Sequence, residues 1–235
     1  MINTEIDRYS RQIMLEEFGT EGQKRLQSAT VLIVGVGGLG SAVAPYLAGA
    51  GVGRLILTDS DTVSLSNLQR QILYSEEETG LKKTEIAAKR LRKLNSGITI
   101  EVCDEGLTPE NAERLIGCCD AVVDCCDNYK TRILIDDVCA TTGKPWIYGS
   151  IGEFSGQLSV FNHKKGKRYR ELFPDIENLC KGQKRITGVL GPVAGTIGAL
   201  EAAECIKLLA GTGETAEGKL LTIDFLNLTT ETVEF

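Results

Sequence analysis

The sequence predicts an α/β fold built on a doubly wound, mainly parallel sheet. Apolar, β-branched runs of strand length alternate with segments of helical length or spacing over residues 30–148. A glycine-rich turn follows the first of these runs, as is typical of a strand that leads into a nucleotide-binding helix. After Trp146 the pattern changes to strands that we expect to pair antiparallel. Together these observations indicate a Rossmann-like sheet, extended at one end by antiparallel strands.

The individual elements are predicted in chain order. Residues 13–25 resemble an N-terminal helical arm, with Arg8 and Arg11 just ahead of it. Parallel strands are expected at residues 30–34, 54–57, 98–102, 121–123 and 145–148. Helices are expected at residues 39–50, 83–94, 109–116, 128–142 and 192–209. The antiparallel strands are expected at residues 156–161, 220–224 and 229–235.

The chain is expected to form one domain over residues 1–235, because this length can bury a sizeable core without division. Residues 162–187 open with the charged run His163-Lys164-Lys165-Gly166-Lys167-Arg168 and show little apolar periodicity. We therefore expect a flexible crossover there and no separate domain.

Composition narrows the class of protein. The formal net charge of −6 and the pI of about 5.1 argue against a general nucleic-acid surface. The N-terminus lacks the basic start and apolar stretch of a signal peptide, and charged residues interrupt the apolar segment at 188–211, so neither export nor a membrane span is expected. The eight cysteines include adjacent pairs at 118–119 and 125–126. We expect them to be reduced thiols in the cytoplasm.

A nucleotide pocket is predicted at the end of the first strand. Gly35, Gly37 and Gly40 fit the G-x-G-x-x-G turn, with Gly38 inside it, and this turn lets backbone approach a phosphate at a helix N-terminus. Asp59 ends the next apolar strand, where a carboxylate can hydrogen-bond a ribose hydroxyl. Taken alone, this pattern fits NAD, FAD, S-adenosylmethionine or ATP.

The residues after Asp59 favour a triphosphate. Asn67, Arg70 and Gln71 lie within about one helical turn of each other, and Lys83 follows soon after. An arginine and a lysine directed at one phosphate region can neutralise charge during attack on ATP. The alternative is that Arg70 and Lys83 are solvated surface cations.

A magnesium ligand is predicted at the end of the strand at 121–123. Asp124 and Asp127 follow this strand, at the edge of the sheet where ligands bind. Mg²⁺ takes few protein carboxylates and completes its shell with water and phosphate oxygens, which suits Asp127 beside ATP. The alternative is that Asp127 caps the helix that begins near Asn128.

Five ordered motifs carry a family resemblance that covers nearly all of the chain. They are residues 8–12, the glycine turn, 59–71, 124–128 and 188–193, and they resemble the ThiF/MoeB/HesA family, the bacterial relatives of the ubiquitin-activating enzymes. The resemblance implies an adenylyltransferase that activates the C-terminal Gly-Gly carboxylate of a ubiquitin-like sulfur-carrier protein. It also favours the magnesium role for Asp127.

This chemistry needs no general base, because a glycine α-carboxylate, with a pKa of about 3.5, is already ionised. The set expected to hold and neutralise the reacting groups comprises Asn67, Arg70, Gln71, Lys83 and Mg²⁺ on Asp127. Asp59 would hold the ribose, and Asp61 would help position it or shape the loop.

In the family the arginine equivalent to Arg11 enters the active site of the neighbouring subunit, so the resemblance implies a homodimer with shared sites. The alternative is an arginine on a solvated arm.

The chain departs from the family pattern at two places. Many members carry two C-x-x-C pairs that hold zinc, whereas here the first pair would fall on Arg168 and Glu171, and no cysteine follows Cys205. We therefore predict no zinc site. The cysteine that ThiF-type members use for covalent chemistry would fall on Lys184. Cys180 lies nearby and is either its substitute or an incidental thiol.

Three functions remain open at this point. They are carrier adenylation in thiamine (thiazole) synthesis, the same reaction on the carrier subunit of molybdopterin synthase, and a non-catalytic nucleotide-binding scaffold. Intact Arg70, Lys83 and Asp127 argue against the scaffold, and the Lys-Pro-Trp stretch at residues 144–146 leans toward thiamine.

Overall fold

The computed structural model describes residues 3–181 and 188–235, and its described part is built on one mixed sheet. The strand order is β3-β2-β1-β4-β5-β6-β7-β8. Strands β1 to β5 are parallel, and β6 to β8 extend the sheet antiparallel. The strands are β1 Thr30–Val34, β2 Arg54–Thr58, β3 Thr99–Cys103, β4 Ala121–Asp124, β5 Trp146–Gly152, β6 Ser155–Phe161, β7 Lys219–Asp224 and β8 Thr229–Glu234. The predicted fold class is thus confirmed.

Helices cover both faces of the sheet. They are α1 Asn3–Ile13, α2 Gly19–Ser28, α3 Gly40–Ala50, α4 Lys83–Leu94, α5 Pro109–Gly117, α6 Tyr129–Thr142, α7 Tyr169–Leu172, α8 Ile176–Lys181 and α9 Gly191–Ala210. Helices α2, α3, α4 and α9 enclose one hydrophobic core, called here the first core, and α5 to α8 enclose the second core. Both cores form because side chains alternate along each strand, so that Ile33 enters the first core and Leu32 the second.

The prediction of a single helical arm at residues 13–25 is wrong. Two helices, α1 and α2, meet at a turn instead, and Arg8 and Arg11 lie within α1 rather than ahead of it. The chain turns because the Phe18 ring is buried in the first core and lies against Gly22 in the first turns of α2. Gly19 adopts φ +55°, a left-handed conformation that glycine tolerates at little cost.

The predicted flexible crossover at 162–187 contains two short helices in its described part. Tyr169 of α7 and Ile176 of α8 are buried in the second core, where Tyr169 packs against Trp146. Ion pairs join this segment to α6, among them those from Arg168 to Asp136 at 2.8 Å and from Arg170 to Asp137 at 2.9 Å. The structure therefore shows packed side chains where sequence periodicity indicated none. Residues 182–187 of the predicted crossover lie outside the described residues.

Among the described residues, no helix combines the length and the apolar character that crossing a membrane requires.

Candidate nucleotide site

The predicted site residues converge at the edge of the sheet where the parallel strands end. Val34, the last residue of β1, is paired with Thr58 at the end of β2 and with Asp124 at the end of β4. The glycine loop, Asp59 and residues 124–128 therefore leave the sheet side by side. In doubly wound sheets this carboxyl edge is where ligands bind.

The glycine loop, residues 35–40, is closed by contacts that leave no room for side chains at its two ends. Gly35 has φ +94°, and a Cβ atom placed there would lie 2.7 Å from the carbonyl oxygen of Cys125. A Cβ atom at Gly40 would collide with the carbonyl oxygen of Gly35. Gly37 faces the amide of Gln71, and Gly38 faces Ala194 and the stem of Arg70. The loop thus presents bare backbone at the start of α3, which suits a phosphate.

Asp59 ties the loops of this edge together. Its Oδ2 accepts a hydrogen bond from the backbone N–H of Val36 at 2.9 Å, and its Oδ1 accepts one from the N–H of Asp61 at 2.9 Å. The carboxylate is therefore held against the glycine loop, half-buried, at the end of β2. Its role toward a ribose stays a prediction.

Lys83 is a buried cation at this edge. Only 3% of the residue is exposed, and its ammonium group pairs at 2.8 Å with Asp61, whose side chain is 69% exposed. A solvated surface cation would not be enclosed in this way, so that alternative is wrong for Lys83. A buried ammonium that pairs, among the described residues, with one carboxylate at the surface is well suited to an anionic ligand.

Asn67, Arg70 and Gln71 share one turn. The backbone N–H groups of Arg70 and Gln71 both donate to the carbonyl of Asn67, at 3.0 and 2.9 Å. Arg70 is half-buried, and its guanidinium donates to the carbonyl of Ser66 at 3.1 Å. Gln71 is buried, and its Oε1 has no hydrogen-bond partner among the described residues. A buried polar atom without a partner beside the glycine loop fits a site that is completed by a ligand.

The segment at residues 124–128 places its two carboxylates differently. Asp124 is buried and pairs with Arg132 at 3.1 Å, whereas Asp127 is exposed. Burial raises the pKa of Asp124, and the positive charge of Arg132 opposes that rise. The N-cap of α6 is Asn128, whose side chain accepts from the N–H of Thr131 at 2.9 Å. The cap position predicted as an alternative for Asp127 thus belongs to its neighbour.

The exposed carboxylate of Asp127 fits Mg²⁺ of a bound nucleotide. No cluster of three or more His, Cys, Asp or Glu side chains that could hold a metal is found in residues 3–181 and 188–235. Mg²⁺ does not require one, because one or two carboxylates with phosphate oxygens and water complete its shell. The adjacent thiols are unsuited to nucleophilic attack, since burial raises the pKa of both Cys125 and Cys126 well above its ordinary value.

Arg11 lies apart from its own chain's glycine loop. Its neighbour Gln12 donates to the carbonyl of Ala50, the last residue of α3, at 2.8 Å. Helix α3 begins at the glycine loop and rises about 15 Å before it reaches Ala50. The exposed Arg11 therefore lies near the far end of α3, at the opposite edge of the sheet.

Cys180 and the positions of the family's first zinc pair lie on the second-core face of the molecule. Cys180 is half-buried in α8, which packs against α6. Arg168 forms an ion pair with Asp136 of α6 at 2.8 Å, and the carboxylate of Glu171 accepts a hydrogen bond from the backbone N–H of Arg168 at 3.0 Å. Lys184 lies outside the described residues. A covalent role for Cys180 and the absence of zinc stay predictions.

Two buried charged residues near the site escaped the sequence analysis. Arg132 of α6 contacts Asp124 and the carbonyl oxygens of Cys126 and Gly149. Glu201 of α9 is fully buried beside Gly149, and neither of its carboxylate oxygens has a hydrogen-bond partner among the described residues. Burial raises the pKa of Glu201 well above its ordinary value. A charged residue inside an apolar helix was the available signal for Glu201, whereas the sequence offered no local signal for Arg132.

Comparisons with known proteins identify relatives of this chain. A model of the ThiF family matches residues 9–235. Adenylyltransferase and sulfurtransferase MOCS3 of Xenopus laevis is 44% identical over 232 residues, which cover 96% of this chain and 50% of that protein. SAMP-activating enzyme E1 of Haloferax volcanii is 42% identical over 233 residues, which cover 99% of this chain and 86% of that protein. The chain thus spans about half the length of the MOCS3 relatives it matches.

A solved structure shares both the fold and part of the sequence. The crystal structure of E. coli MccB with ATP superimposes with a TM-score of 0.84 and 26% sequence identity. The match covers 97% of this chain and 71% of that chain.

Proposed function

Because the chain belongs to the ThiF family, we propose that it uses ATP to adenylate the C-terminal Gly-Gly carboxylate of a ubiquitin-like sulfur-carrier protein. The observation that carries the proposal is the arrangement at the carboxyl edge of the sheet. The bare glycine loop, the buried ammonium of Lys83 and the exposed carboxylate of Asp127 share that edge. The similarity to an adenylyltransferase and to an enzyme solved with ATP supports it.

In the proposed reaction a carboxylate oxygen of the terminal glycine attacks the α-phosphorus of ATP. The bond from that phosphorus to the bridging oxygen breaks, and pyrophosphate leaves with its electron pair. The carboxylate is already ionised at neutral pH, since its pKa is about 3.5, so no side chain has to remove a proton. The work of the protein is to align the two groups and to neutralise negative charge.

Individual residues take the following roles in this proposal. The glycine loop cradles phosphate with its backbone N–H groups. Arg70 and Lys83 offset the charge of the departing pyrophosphate, and Asn67 and Gln71 supply further hydrogen-bond donors. Asp127 holds Mg²⁺, which would neutralise phosphate charge when bound. Asp59 holds the ribose, and Asp61, which pairs with Lys83, helps to position it or shapes the loop.

We also propose a homodimer in which Arg11 completes the site of the partner subunit. Arg11 lies at the opposite edge of the sheet from its own glycine loop, and it is exposed. An arginine in this place serves a nucleotide site only if that site belongs to another molecule. A two-fold interface would place two such arginines in two sites at once.

The carrier we propose first is that of thiamine (thiazole) synthesis, with the molybdopterin synthase carrier as the second candidate. The Lys-Pro-Trp stretch does not discriminate by contact, because Trp146 is fully buried in the second core. An assay with each carrier is therefore needed to decide between the thiamine and the molybdopterin pathway. We propose a cytoplasmic location, where the eight free cysteines would stay reduced.

Pyrophosphate exchange tests the proposal. Purified protein with Mg²⁺, ATP, labelled pyrophosphate and each carrier in turn is expected to form labelled ATP only when a Gly-Gly-ended carrier is present. The matched control is the same carrier without its last glycine. No exchange above background with either carrier would overturn the catalytic proposal and favour the nucleotide-binding scaffold.

A further inference from the structure

The segment that carries Asp127 is held by one buried arginine. Arg132 is only 5% exposed, and its guanidinium donates hydrogen bonds to one carboxylate and two carbonyl groups. Nε donates to Oδ2 of Asp124 at 3.1 Å, and Nη2 donates to the carbonyl oxygens of Cys126 at 3.0 Å and Gly149 at 3.1 Å. The guanidinium also lies over the ring of Tyr148, 5.1 Å from its centre. One side chain thus joins the end of β4, the segment that follows it and β5.

These contacts fix the peptide unit from which Asp127 departs. The carbonyl of Cys126 and the N–H of Asp127 belong to one planar unit, so a hydrogen bond to that carbonyl sets the orientation of both. The N–H of Cys126 is held as well, because it donates to Oδ1 of Asp124 at 3.0 Å. On the other side of Asp127, Asn128 is fixed as the N-cap of α6.

We infer that Arg132 is a positioning residue, which sets the backbone at residues 124–128 so that Asp127 presents its carboxylate to the metal of the bound nucleotide. This inference rests on the proposed function. Arg132 touches neither metal nor nucleotide in this scheme and acts through the peptide unit between Cys126 and Asp127.

The chemistry of arginine suits this role better than that of any other cation. Its planar fork offers several donors in fixed directions, whereas a lysine ammonium is a compact point charge on a flexible stem. A buried ion pair adds little net stability, because desolvation offsets most of the attraction. The segment at residues 124–128 also contacts the glycine loop, because Gly35 lies against the carbonyl of Cys125. We therefore attribute to the buried pair of Arg132 and Asp124 a role in the geometry of the nucleotide edge and not in net stability.

A double-mutant cycle on metal binding tests the inference. The probe is Mn²⁺, titrated into protein saturated with ATP and followed by electron paramagnetic resonance, with no carrier present. Arg132→Lys is expected to weaken Mn²⁺ binding by about 10-fold or more, the range seen when a residue that orients a metal ligand is lost. In an Asp127→Asn background the same change is expected to cost less than about 2-fold, because the ligand on which Arg132 acts is already impaired.

The matched control is Arg54→Lys. Arg54 also makes a two-point contact with a carboxylate, to Glu101 at 2.9 and 2.7 Å, but it lies at the start of β2, away from the glycine loop. Its replacement is expected to leave Mn²⁺ affinity unchanged. Equal losses from Arg132→Lys in both backgrounds would overturn the inference, as would a lowered melting temperature with unchanged Mn²⁺ affinity.

A second variant keeps the test decisive if Arg132→Lys does not fold. Asp124→Asn retains an oxygen acceptor but removes the charge that aligns the guanidinium, so a smaller loss of Mn²⁺ affinity in the same direction is expected. Unchanged affinity in that folded variant would overturn the inference. No carrier takes part in the Mn²⁺ titration. If pyrophosphate exchange fails while the Arg132 and Asp127 substitutions still have non-additive effects on Mn²⁺ affinity, the proposed function alone is refuted.

Discussion

Two regions of the molecule are held by arginine–aspartate contacts, and they use them differently. At the carboxyl edge, Arg132 and Asp124 are both buried, and the arginine also binds two backbone carbonyl groups. In the segment at residues 162–181, Arg168 and Arg170 are half-buried and reach across to α6. The first arrangement fixes a backbone conformation. The second joins two short helices to α6 through the buried Asp136 and the half-exposed Asp137, and the pairs of Asp137 are weakened by solvent and salt.

The comparison separates the part of the chain that we propose performs the chemistry from the part that departs from the family pattern. Arg168 and Glu171 stand where many relatives are expected to place zinc-binding cysteines, and here the segment is joined to α6 by charge. Substitutions at the carboxyl edge and at the contact of this segment with α6 test that separation in turn. If the comparison is correct, function depends steeply on the first and weakly on the second.

The largest effect is expected from Asp127→Ala. Loss of the proposed metal ligand should lower carrier-dependent pyrophosphate exchange by about 10²–10³-fold, the range for removing one group that stabilises developing charge. Asp120→Ala is the matched control, because Asp120 lies at the other end of β4 and accepts from the N–H of Thr30 at 2.8 Å. Near-normal exchange by a folded Asp127→Ala protein would contradict the metal role.

The next effect is recovery of activity on mixing two inactive chains. Arg11→Ala and Asp127→Ala should each be inactive, but a heterodimer has one site in which both residues are intact. Pyrophosphate exchange should therefore return, and each heterodimer should recover up to about half the exchange activity of a normal dimer. No recovery, despite subunit exchange demonstrated by native mass spectrometry, would place Arg11 in its own chain's pocket or in none.

A smaller effect is expected from the buried acid behind the carboxyl edge. Glu201 has a raised pKa because of burial, Asp124 raises it further and Arg132 lowers it. The neutral form of Glu201 contributes to stability. This contribution is fully present below the pKa of a glutamate in the unfolded chain, about 4.3, and is lost as the pH rises through the folded-state pKa.

Glu201→Gln removes this dependence. The melting temperature of the variant minus that of wild type should be larger at pH 8 than at pH 5, by about 2–4 °C for each kcal/mol of stability that the variant recovers. Thermal denaturation at the two pH values measures this difference. An equal shift at both values would mean that Glu201 does not hold its proton in the folded protein.

The smallest effects are expected where the segment at residues 162–181 contacts α6. Asp137→Ala should cost about 1 kcal/mol or less, because its carboxylate is 49% exposed and both of its arginine partners keep their contacts with Asp136; added salt should reduce the difference from wild type. Metal analysis should find no stoichiometric zinc, and a chelator should leave the melting temperature unchanged. One zinc per chain would overturn the argument from the missing ligands.

The sequence predicted elements whose signals are local. The run at residues 30–34 forms β1 with the bounds expected, and the glycine turn joins it to α3, because periodicity and turn chemistry act over a few residues. The break between α1 and α2 escaped prediction, since it depends on burial of Phe18 in the first core. Tyr169 escaped too, because its packing partner Trp146 is remote in sequence.

The same distinction applies to the site. Lys83 and Asp127 were identified from motifs, and the structure places them at one edge of the sheet, where their catalytic roles stay predictions. Arg132 could not be identified from motifs alone, because its contact with the carbonyl of Gly149 joins segments that only the folded sheet brings together. Burial of Glu201 without a hydrogen-bond partner among the described residues is likewise a tertiary property.

The most direct test of the central claim is detection of the adenylated carrier itself. Wild-type protein, Mg²⁺, ATP and a Gly-Gly-ended sulfur carrier are combined, pyrophosphatase is added to draw the reaction forward, and the carrier is analysed by intact mass spectrometry. We expect a carrier that has gained one AMP at its terminal glycine, with the gain dependent on ATP and absent from a carrier that lacks that glycine. ATP binding without an AMP adduct on either the thiamine or the molybdopterin carrier would contradict the central claim.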